Sequence, residues 1–459
     1  DNDLDLYIAT SGFEQKDNPQ LLNDRFYENN GKGFFTLVNN ALPPTLTNKS
    51  CVKAADFDND GKIDLLIGSR VTPLNYPIPQ QSYILKNTSV AGKIAFVDVT
   101  LKVAPQLQTI GMVTDALWTD FDNDEDWDLL VTGEWMGLHL FENKKGVFHA
   151  VENEIKNMKG WWNSLAAADL DNDGDIDYIA GNYGTNGFYK ATNQQPVTLY
   201  AGDFTKTNKT NILIGHYRPQ EPHGIKKPFS ALYRDQIAEA LPLIKKKYNN
   251  YSGFAQATLT DIKAIWKNDI QYSLEATQLK SVWIENEGKG RFAIHELPQE
   301  AQWAPIYGIT TADYNADGLP DILLNGNDYS QSPFMGRSDA LHGLLLLQTA
   351  NKQFKSSSIG HTGICIQGNG KALAQLLVKN IPSIVATTNK AAMYVYKNKA
   401  IKGQVITPNL TDKYAIINLQ NGKKRKVEFS YGHSFYSQSA NFIWKDETIK
   451  DVKIISSKN

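Results

Sequence analysis

A short acidic motif returns along the chain and constrains the fold more than any other feature. It reads DFDNDGKID from Asp56, and related stretches begin at Asp120, Asp169 and Asp313. Each copy follows a run of small residues and precedes a tight apolar run such as DLLIG or DYIAG. Self-similarity at a spacing of tens of residues indicates an array of similar structural units.

Three weaker copies extend the series to seven units. The chain opens inside a motif at Asp1, and degenerate copies begin at Asp203 and Gln375. Hairpin turns such as ENNGKGFF follow several of the apolar runs. Four short antiparallel strands per unit predict an all-β fold, a seven-bladed β-propeller over residues 1–399 with a truncated first blade. Because the first motif is cut, we expect the chain to continue a longer polypeptide upstream.

Two stretches depart from the repeat. Between Asp203 and Asp313 the spacing of Leu, Ile and Ala becomes helical, which predicts a helical insertion at about residues 228–270, between the fifth and sixth units. Residues 400–459 hold short strand patterns and predict a small C-terminal β module.

Charge and hydrophobicity argue against a nucleic-acid partner and against a membrane-spanning helix. The 459 residues carry a formal net charge of -2, whereas a nucleic-acid partner needs a basic face. The sequence contains no run of about eighteen apolar residues, so no membrane-spanning helix is predicted. The two cysteines, Cys51 and Cys365, are predicted to be separate thiols.

The spacing D-x-D-x-D-G-x-x-D indicates a cation site. Side chains at positions 1, 3, 5 and 9 and the carbonyl at position 7 converge in a tight loop, and so many hard oxygen ligands suit Ca2+ better than Mg2+. An EF-hand needs a Glu at position 12, where this chain has strand residues such as Ile67 and Val131. The alternative is an acidic turn that binds nothing, and four copies in register favour calcium.

We therefore predict about four structural Ca2+ ions, with a fifth left open at the first motif. Glu125 replaces the loop glycine of one copy, and the Asp203 loop has lost most of its acidic side chains. The predicted ligands are Asp56, Asp58, Asp60, Lys62, Asp64, Asp120, Asp122, Asp124, Asp126, Asp128, Asp169, Asp171, Asp173, Asp175, Asp177, Asp313, Asn315, Asp317, Leu319 and Asp321, together with Asp1 and Asp5.

The loops resemble the FG-GAP, or VCBS-type, repeats of the integrin α-subunit propeller. The whole chain resembles large Bacteroidetes outer-membrane proteins that carry such repeats with an ASPIC/UnbV-like tail, a group related to cartilage acidic proteins. The closer match rests on GMVTDALWTDFDND, GEWM, GWWNS, GNYGTN, LPLIKKKYNNY, APIYGI, GNDYS and the tail SYGHSFYSQSA. The resemblance implies a lipoprotein-like component at the cell surface, associated with nutrient uptake at the outer membrane.

Loops at the opposite end of the strands are rich in aromatic residues with Asn and Arg, which stack on sugars or anchor a protein partner. Packing between blades is the alternative explanation of these aromatic residues. The candidates are Arg70, Tyr76, Trp135, Trp161, Trp162, Tyr183, Asn186, Tyr217, Trp303, Tyr307, Asn327, Tyr329, Phe334 and Arg337.

We predict a non-enzymatic scaffold or binding component of the cell envelope, whose partner is an envelope protein or a glycan. A polysaccharide lyase is the first alternative, because some calcium-containing propellers are lyases and His216, Tyr217 and Arg218 form a local cluster. An integrin-like adhesin is the second. No nucleophile elbow, zinc spacing or phosphate loop is present in the sequence.

Overall fold

The computed structural model describes residues 3–15, 18–221, 223–332, 335–397 and 402–456. They fold mainly into antiparallel β-sheets, which confirms the predicted all-β class. Sheet 1 contains β1 (Leu6–Ile8), β2 (Arg25–Asn29) and β3 (Phe35–Leu37). Sheet 2 contains β4 (Lys49–Ala55), β5 (Asp64–Ser69), β6 (Tyr83–Asn87) and β7 (Phe96–Asp98).

A short helix, α1 (Thr100–Val103), leads into sheet 3. This sheet contains β8 (Met112–Thr119), β9 (Asp128–Met136), β10 (His139–Asn143) and β11 (Phe148–Val151), and β12 (Gly160–Trp161) pairs with the end of β9. Single 3-10 turns lie at Pro19–Leu22, Pro105–Gln108, Glu154–Asn157, Ala264–Trp266 and Gln299–Gln302.

Sheet 4 is interrupted by a long insertion. It begins with β13 (Ser164–Ala168) and β14 (Asp177–Gly181). An inserted sheet follows, made of β15 (Val197–Gly202), β16 (Asn211–Pro219), β17 (Lys226–Ser230) and β18 (Tyr272–Ala276). Between β17 and β18 lie α2 (Arg234–Ala240), α3 (Leu243–Lys247), α4 (Tyr251–Gln256) and α5 (Leu259–Lys263). Sheet 4 resumes with β19 (Val282–Asn286), which pairs with β14, and ends with β20 (Phe292–Glu296).

The insertion therefore differs from the one predicted. Its helices fall inside the expected range, but the inserted stretch covers residues 182–281 and divides one sheet instead of separating two units. The predicted fifth unit at Asp203 belongs to this inserted sheet. A strand, an acidic turn and a second strand have the same local sequence pattern in a repeat unit and in the inserted sheet. Only the pairing of β14 with β19 shows that the Asp203 stretch is an insertion.

Two further sheets complete the series. Sheet 5 contains β21 (Ile306–Ala312), β22 (Asp321–Gly326), β23 (Leu344–Gln348) and β24 (Phe354–Ser357). After α6 (Ile359–Thr362), sheet 6 contains β25 (Gly370–Val378), β26 (Ile381–Thr388) and β27 (Tyr394–Lys397).

The first strands of sheets 2 to 6 lie side by side in chain order, β4 against β8, then β13, β21 and β25. Apolar clusters fill the space between successive sheets; between sheets 2 and 3, for example, Phe57, Trp118 and Phe148 pack ring against ring. This arrangement is propeller-like. In the described ranges the six sheets do not close into a ring, and the count of seven blades stays a prediction.

The C-terminal module contains β28 (Gln404–Ile406), β29 (Asp412–Leu419), β30 (Lys424–Glu428), β31 (Ile443–Lys445) and β32 (Ile449–Ser456). Residues 429–441, here named the axial segment, connect β30 to β31. Tyr431 forms a β-bridge with Ala54 of β4, Ser434 Oγ accepts the Ile309 N–H of β21 at 2.7 Å, and the Ala440 N–H donates to Gln375 O of β25 at 2.8 Å. The axial segment thus contacts both ends of the row of first strands.

Candidate cation sites and the opposite face

The four acidic loops connect the first and second strands of sheets 2, 3, 4 and 5. All four loops therefore lie at the same end of the strands. Side-chain amides at loop position 4 join neighbouring loops. These hydrogen bonds are Asn59 Nδ2 to Asp126 Oδ1 (2.8 Å), Asn123 Nδ2 to Asp175 Oδ1 (2.5 Å) and Asn172 Nδ2 to Gly318 O (3.0 Å).

The carboxylate at position 1 organises its own loop. Asp56 accepts the N–H groups of Asp60 at 3.0 Å and Gly61 at 2.9 Å. Position 6 has a positive φ, +82° at Gly61, which favours glycine, and Glu125 adopts +71° at the same position. Asp203 of the inserted sheet makes equivalent bonds, so this pattern is a property of the turn and does not itself indicate a cation.

The carboxylate at position 9 is buried and ties its loop to the third strand of its sheet. Asp128, for example, has no exposed surface and accepts the Asn143 N–H at 2.7 Å. Burial raises the pKa of all four of these side chains, to about 7 for Asp64, about 9 for Asp128, about 8 for Asp177 and about 7 for Asp321. Each carboxylate therefore lies where its negative charge is poorly solvated.

Asp5 occupies the same place in sheet 1. Its Oδ1 accepts the Asn29 N–H at 2.9 Å, as Asp64 Oδ1 accepts the Asn87 N–H at 2.7 Å. Strand β1 therefore corresponds to the second strand of the other sheets. The predicted ligand Asp1 lies outside the described residues.

Three loops bring carboxylates close enough to share a metal ion, with ligand atoms within 4.8 Å of one another. The groups are Asp56, Asp58 and Asp64; Asp120, Asp122, Asp124 and Asp128; and Asp169, Asp171 and Asp177. The predicted ligands Asp60, Lys62, Asp126, Asp173 and Asp175 lie in these three loops but outside the groups. Asp313, Asn315, Asp317, Leu319 and Asp321 lie in the fourth loop, which forms no such group among the described residues.

A lysine side chain partly neutralises each of the three groups. Lys86 pairs with Asp58 and Asp60, Lys352 with Asp171, and Lys426 with Asp120. In the described part of the chain no basic side chain pairs with Asp122, Asp124 or Asp128, and burial together with the neighbouring carboxylates raises the pKa of Asp122 to about 6. The loop at Asp120 thus has the largest uncompensated negative charge.

The C-terminal module docks on these loops. Lys426 Nζ lies 2.7 Å from Asp120 Oδ2, and Arg425 donates to Asn172 Oδ1 at 2.7 Å. The unusual Glu125 also serves this contact, because its carbonyl accepts Lys413 Nζ at 2.7 Å. No sequence signal links the module to the loops, since the partners are about 300 residues apart and share no local pattern.

At the opposite end of the strands, several predicted aromatic residues come together. Tyr76 Oη accepts Trp135 Nε1–H at 2.6 Å, and the Trp135, Trp161 and Tyr183 rings contact one another in sequence, with centroids 5.1 and 5.2 Å apart. Arg70 forms an ion pair with Glu134, a residue that the sequence analysis missed. Glu134 is the one residue of β9 that is not buried, so a charged side chain inside a mostly apolar strand was the available signal.

The other predicted residues on this face are placed differently. Tyr307 packs against Phe435 of the axial segment at 4.8 Å between centroids. The remaining contacts are Asn186 Nδ2 to Trp303 O (3.2 Å), Arg337 over the Tyr329 ring (5.1 Å), Asn327 Nδ2 to Leu341 O (2.6 Å), and Tyr217 opposite Pro228 in the inserted sheet. Phe334 lies outside the described residues.

Trp162 is the clear correction. It is fully buried in the core between sheets 3 and 4, and its Nε1–H donates to Met158 O at 2.9 Å, so it cannot line a surface. In the possible lyase cluster, the His216 ring packs on Phe188 at 4.6 Å between centroids, and Arg218 lies over the Phe229 ring at 3.9 Å. The lyase alternative stays a prediction.

A family model described as FG-GAP-like repeat matches residues 1–67 and 120–180. These two stretches are therefore similar to FG-GAP-like repeats. The two matched stretches include the acidic loops at Asp56, Asp120 and Asp169, and the unmatched loop at Asp313 shares their hydrogen-bond pattern, since Gly318 N–H donates to Asp313 Oδ2 at 2.7 Å.

The chain has only distant similarity to solved structures. The chain is similar to the V. cholerae biofilm matrix protein Bap1, with 10% identity, 85% of this chain and 77% of that chain covered, and a TM-score of 0.28. It is similar to the exotype rhamnogalacturonan lyase YesX, with 12% identity, 82% and 66% coverage, and a TM-score of 0.27. TM-scores this low carry no argument about function. No curated protein matches the chain.

The loops of the FG-GAP-like repeats fit a bound cation by their donor set. All the grouped ligand atoms are carboxylate oxygens, which hard divalent cations prefer. Asp58 Oδ1 and Asp64 Oδ2 are buried without a hydrogen-bond partner, and a buried charged oxygen in that state is costly. Among the described residues, no helix is both long and apolar enough to cross a membrane.

Proposed function

We propose that this protein is a calcium-stabilised binding module that works outside the cell or on its surface. One observation carries the calcium assignment: the loop at Asp120 groups four carboxylates, one of them fully buried, and no basic side chain pairs with Asp122, Asp124 or Asp128 in the described chain. A divalent cation would turn their mutual repulsion into coordination. The predicted fourth site at Asp313 has weaker support, because its acids are not grouped.

Asp122, Asp124 and Asp128 would hold the ion, with Asp120 shared between the ion and Lys426. Bound Ca2+ would neutralise the loop and fix the connection between β8 and β9. Extracellular calcium modules bind with a Kd of about 10⁻⁴–10⁻³ M, which suits a protein exposed to the concentrations outside cells. The face with Arg70 and Tyr76, at the other end of the strands, is left to bind a ligand or partner.

Thermal unfolding with Ca2+ and after chelation tests this proposal, together with elemental analysis of the dialysed protein. We expect three or four Ca2+ ions per chain, in keeping with the three carboxylate groups, and a higher melting temperature with calcium. At a free concentration of about 100 times Kd, each site adds about 2.7 kcal/mol to the free energy of unfolding. A metal-free protein whose melting temperature ignores calcium would overturn the assignment.

The surface assignment has its own test. Protease treatment of intact cells of the source organism should remove the protein from the outside, whereas a cytosolic marker stays intact. Protection of the protein in intact cells and its cleavage only after lysis would contradict this part of the proposal.

A further inference from the structure

We propose that the pocket beside Arg70, at the end opposite the acidic loops, binds a neutral, hydroxyl-rich ligand: a sugar unit of a glycan. This inference rests on the proposed binding function and names its ligand class. Arg70, Tyr76 and Tyr436 line the pocket, whose volume is 310 Å³. Small-molecule sites begin at about 300 Å³, so the pocket accommodates a ligand of one or two sugar rings.

An ion pair beside the pocket leaves hydrogen-bond donors unused. Arg70 lines the pocket, its side chain is 43% exposed, and it donates one N–H of its guanidinium to Glu134 Oε1. Glu134 lies behind Arg70, outside the pocket lining, and its charge offsets that of the guanidinium. The guanidinium carries five N–H donors, so others remain for a ligand in the pocket.

This pairing selects the chemistry of the ligand. A sugar hydroxyl accepts an N–H of Arg70 without bringing a charge into the pocket. Because Glu134 neutralises Arg70 and Asp24 neutralises Lys49, the pocket offers no unpaired charge to a carboxylate, a phosphate or an amine. The other polar side chains that line the pocket are already engaged: Asn48 Oδ1 accepts Ser11 Oγ at 2.5 Å, and Lys49 pairs with Asp24 at 3.2 Å.

Two tyrosine rings supply apolar surface next to these polar atoms. Tyr76 is held by its hydrogen bond from Trp135. Tyr436 follows Phe435, whose ring contacts it at 4.2 Å between centroids and also packs on Tyr307 at 4.8 Å. An aromatic face beside convergent polar groups is the arrangement that pairs the C–H face of a sugar ring with its hydroxyl edge.

The backbone at this pocket is strained at two residues, and burial of the side chain compensates only one of them. Tyr436 has a φ of +46° and Trp135 has a φ of +61°, both in the left-handed region that non-glycine residues rarely adopt. Trp135 is compensated by burial, but Tyr436 remains 64% exposed. Strained residues of this kind collect at functional sites, where the surrounding structure holds them in place. A ligand that covers the Tyr436 ring would account for its conformation.

The site also needs the axial segment. Arg70 follows β5 and Glu134 lies on β9, whereas Tyr436 arrives from the C-terminal part of the chain. The segment is anchored nearby by Ser434, whose Oγ accepts the Ile309 N–H. The pocket is therefore assembled from residues that are distant in sequence, which a sequence pattern could not reveal.

Saturation-transfer NMR on the full chain in excess Ca2+ tests the inference. The probes are methyl glycosides of glucose, galactose, mannose, xylose and rhamnose at about 10 mM, ten times a millimolar Kd. Methyl glucuronide and glucosamine are charged counterparts of the glucose probe. We expect transfer to at least one neutral glycoside and little or none to the charged pair. No transfer to any neutral glycoside, or stronger transfer to a charged one, would overturn the proposal.

Variants locate the binding. Tyr436→Ala and Arg70→Gln should each weaken the affinity for the best glycoside by about tenfold or more. Trp303→Ala is the matched control, because Trp303 is 42% exposed and does not line the pocket. Binding that survives Tyr436→Ala unchanged would contradict the site. Circular dichroism and calcium-dependent melting of each variant separate loss of the pocket from loss of the fold or failure of the calcium sites.

Discussion

Lys426 Nζ lies 2.7 Å from Asp120 Oδ2, and the two side chains are only 3% and 8% exposed. The same ammonium group donates to Asn123 Oδ1 at 2.6 Å. A strand of the C-terminal module thus provides a buried counter-charge for an acidic loop 306 residues away. This ion pair therefore links the C-terminal module to the acidic loop of sheet 3.

Removing this lysine should be costly. Breaking a buried ion pair leaves an uncompensated charge, so Lys426→Met should lower the free energy of unfolding by about 3–5 kcal/mol, measured by urea denaturation. Lys423→Met is the control, because exposed Lys423 only donates to Asp171 O, and its loss should cost about 0.5 kcal/mol or less. Adding Asp120→Asn to Lys426→Met should recover part of the loss; strictly additive costs would show that the pair is not coupled.

Single loop variants distinguish a cation site from an acidic turn. Asp122→Asn should remove about one Ca2+ per chain in elemental analysis, because Asp122 belongs to the group of four carboxylates. Asp203→Asn changes a loop with the same turn geometry but outside any such group, and should leave the ion count unchanged. Equal counts in both variants would contradict the assignment of an ion to the Asp120 loop.

A side-chain amide should contribute strongly to the contact between sheets 2 and 3. Asn143 is 1% exposed, and its Nδ2 donates to Phe57 O of sheet 2 at 2.8 Å and to Trp127 O at 3.0 Å. Asn143→Ala leaves these buried carbonyls without a donor, so the free energy of unfolding should fall by about 1–3 kcal/mol for each lost bond.

Asn87 is the matched control for Asn143. It holds the equivalent position in sheet 2, but its Nδ2 reaches only Ile63 O of its own loop. Asn87→Ala should therefore cost less than Asn143→Ala in the same denaturation experiment. An equal loss in both variants would argue that the bond to Phe57 does not stabilise the contact between sheets.

Acid should weaken the docking of the axial segment through His433. Burial and the nearby Lys53 charge lower the pKa of His433 from 6.5 to about 4. The unfolded chain binds this proton at a higher pH than the folded chain does. The contribution of neutral His433 to the free energy of unfolding is therefore present above about pH 6.5 and is lost as the pH falls towards 4.

The comparison of wild type with His433→Gln isolates this effect from protonation of the acidic loops. In urea denaturation with excess Ca2+, the free energy of unfolding of the wild type should fall more steeply between pH 7 and pH 4.5, values that bracket the shift. Parallel pH profiles for the two proteins would show that His433 does not titrate in this way.

The acidic loops were predictable from sequence because their information is local. Spacing alone places carboxylates such as Asp122 and Asp128 in one turn, and the structure groups them. The Asp203 loop shows where local reasoning fails: it has the same turn bonds, yet its strands pair inside an insertion. Trp162 failed similarly, because its neighbour Trp161 has almost the same sequence context and only packing decides which ring is buried.

Long-range contacts were beyond the sequence analysis. Nothing in the pattern KRKVE indicates that Lys426 meets Asp120, and the tail that contains Tyr436 reads as a separate appendage. The pocket beside Arg70 depends on such contacts, since it combines residues in and beside sheet 2 with Tyr436 of the axial segment. A single sequence does not report which of its segments approach one another.

The axial segment has a consequence for how the protein is made. It follows all six sheets in the chain, so during synthesis it leaves the ribosome after them, and domains generally fold from the N-terminal side first. The first strands can pair within their hairpins early, while the space between Ala54 and Gln375 is filled only after residues 429–441 emerge. A chain cut short before residue 429 would contain every acidic loop and still lack the Tyr436 wall of the pocket.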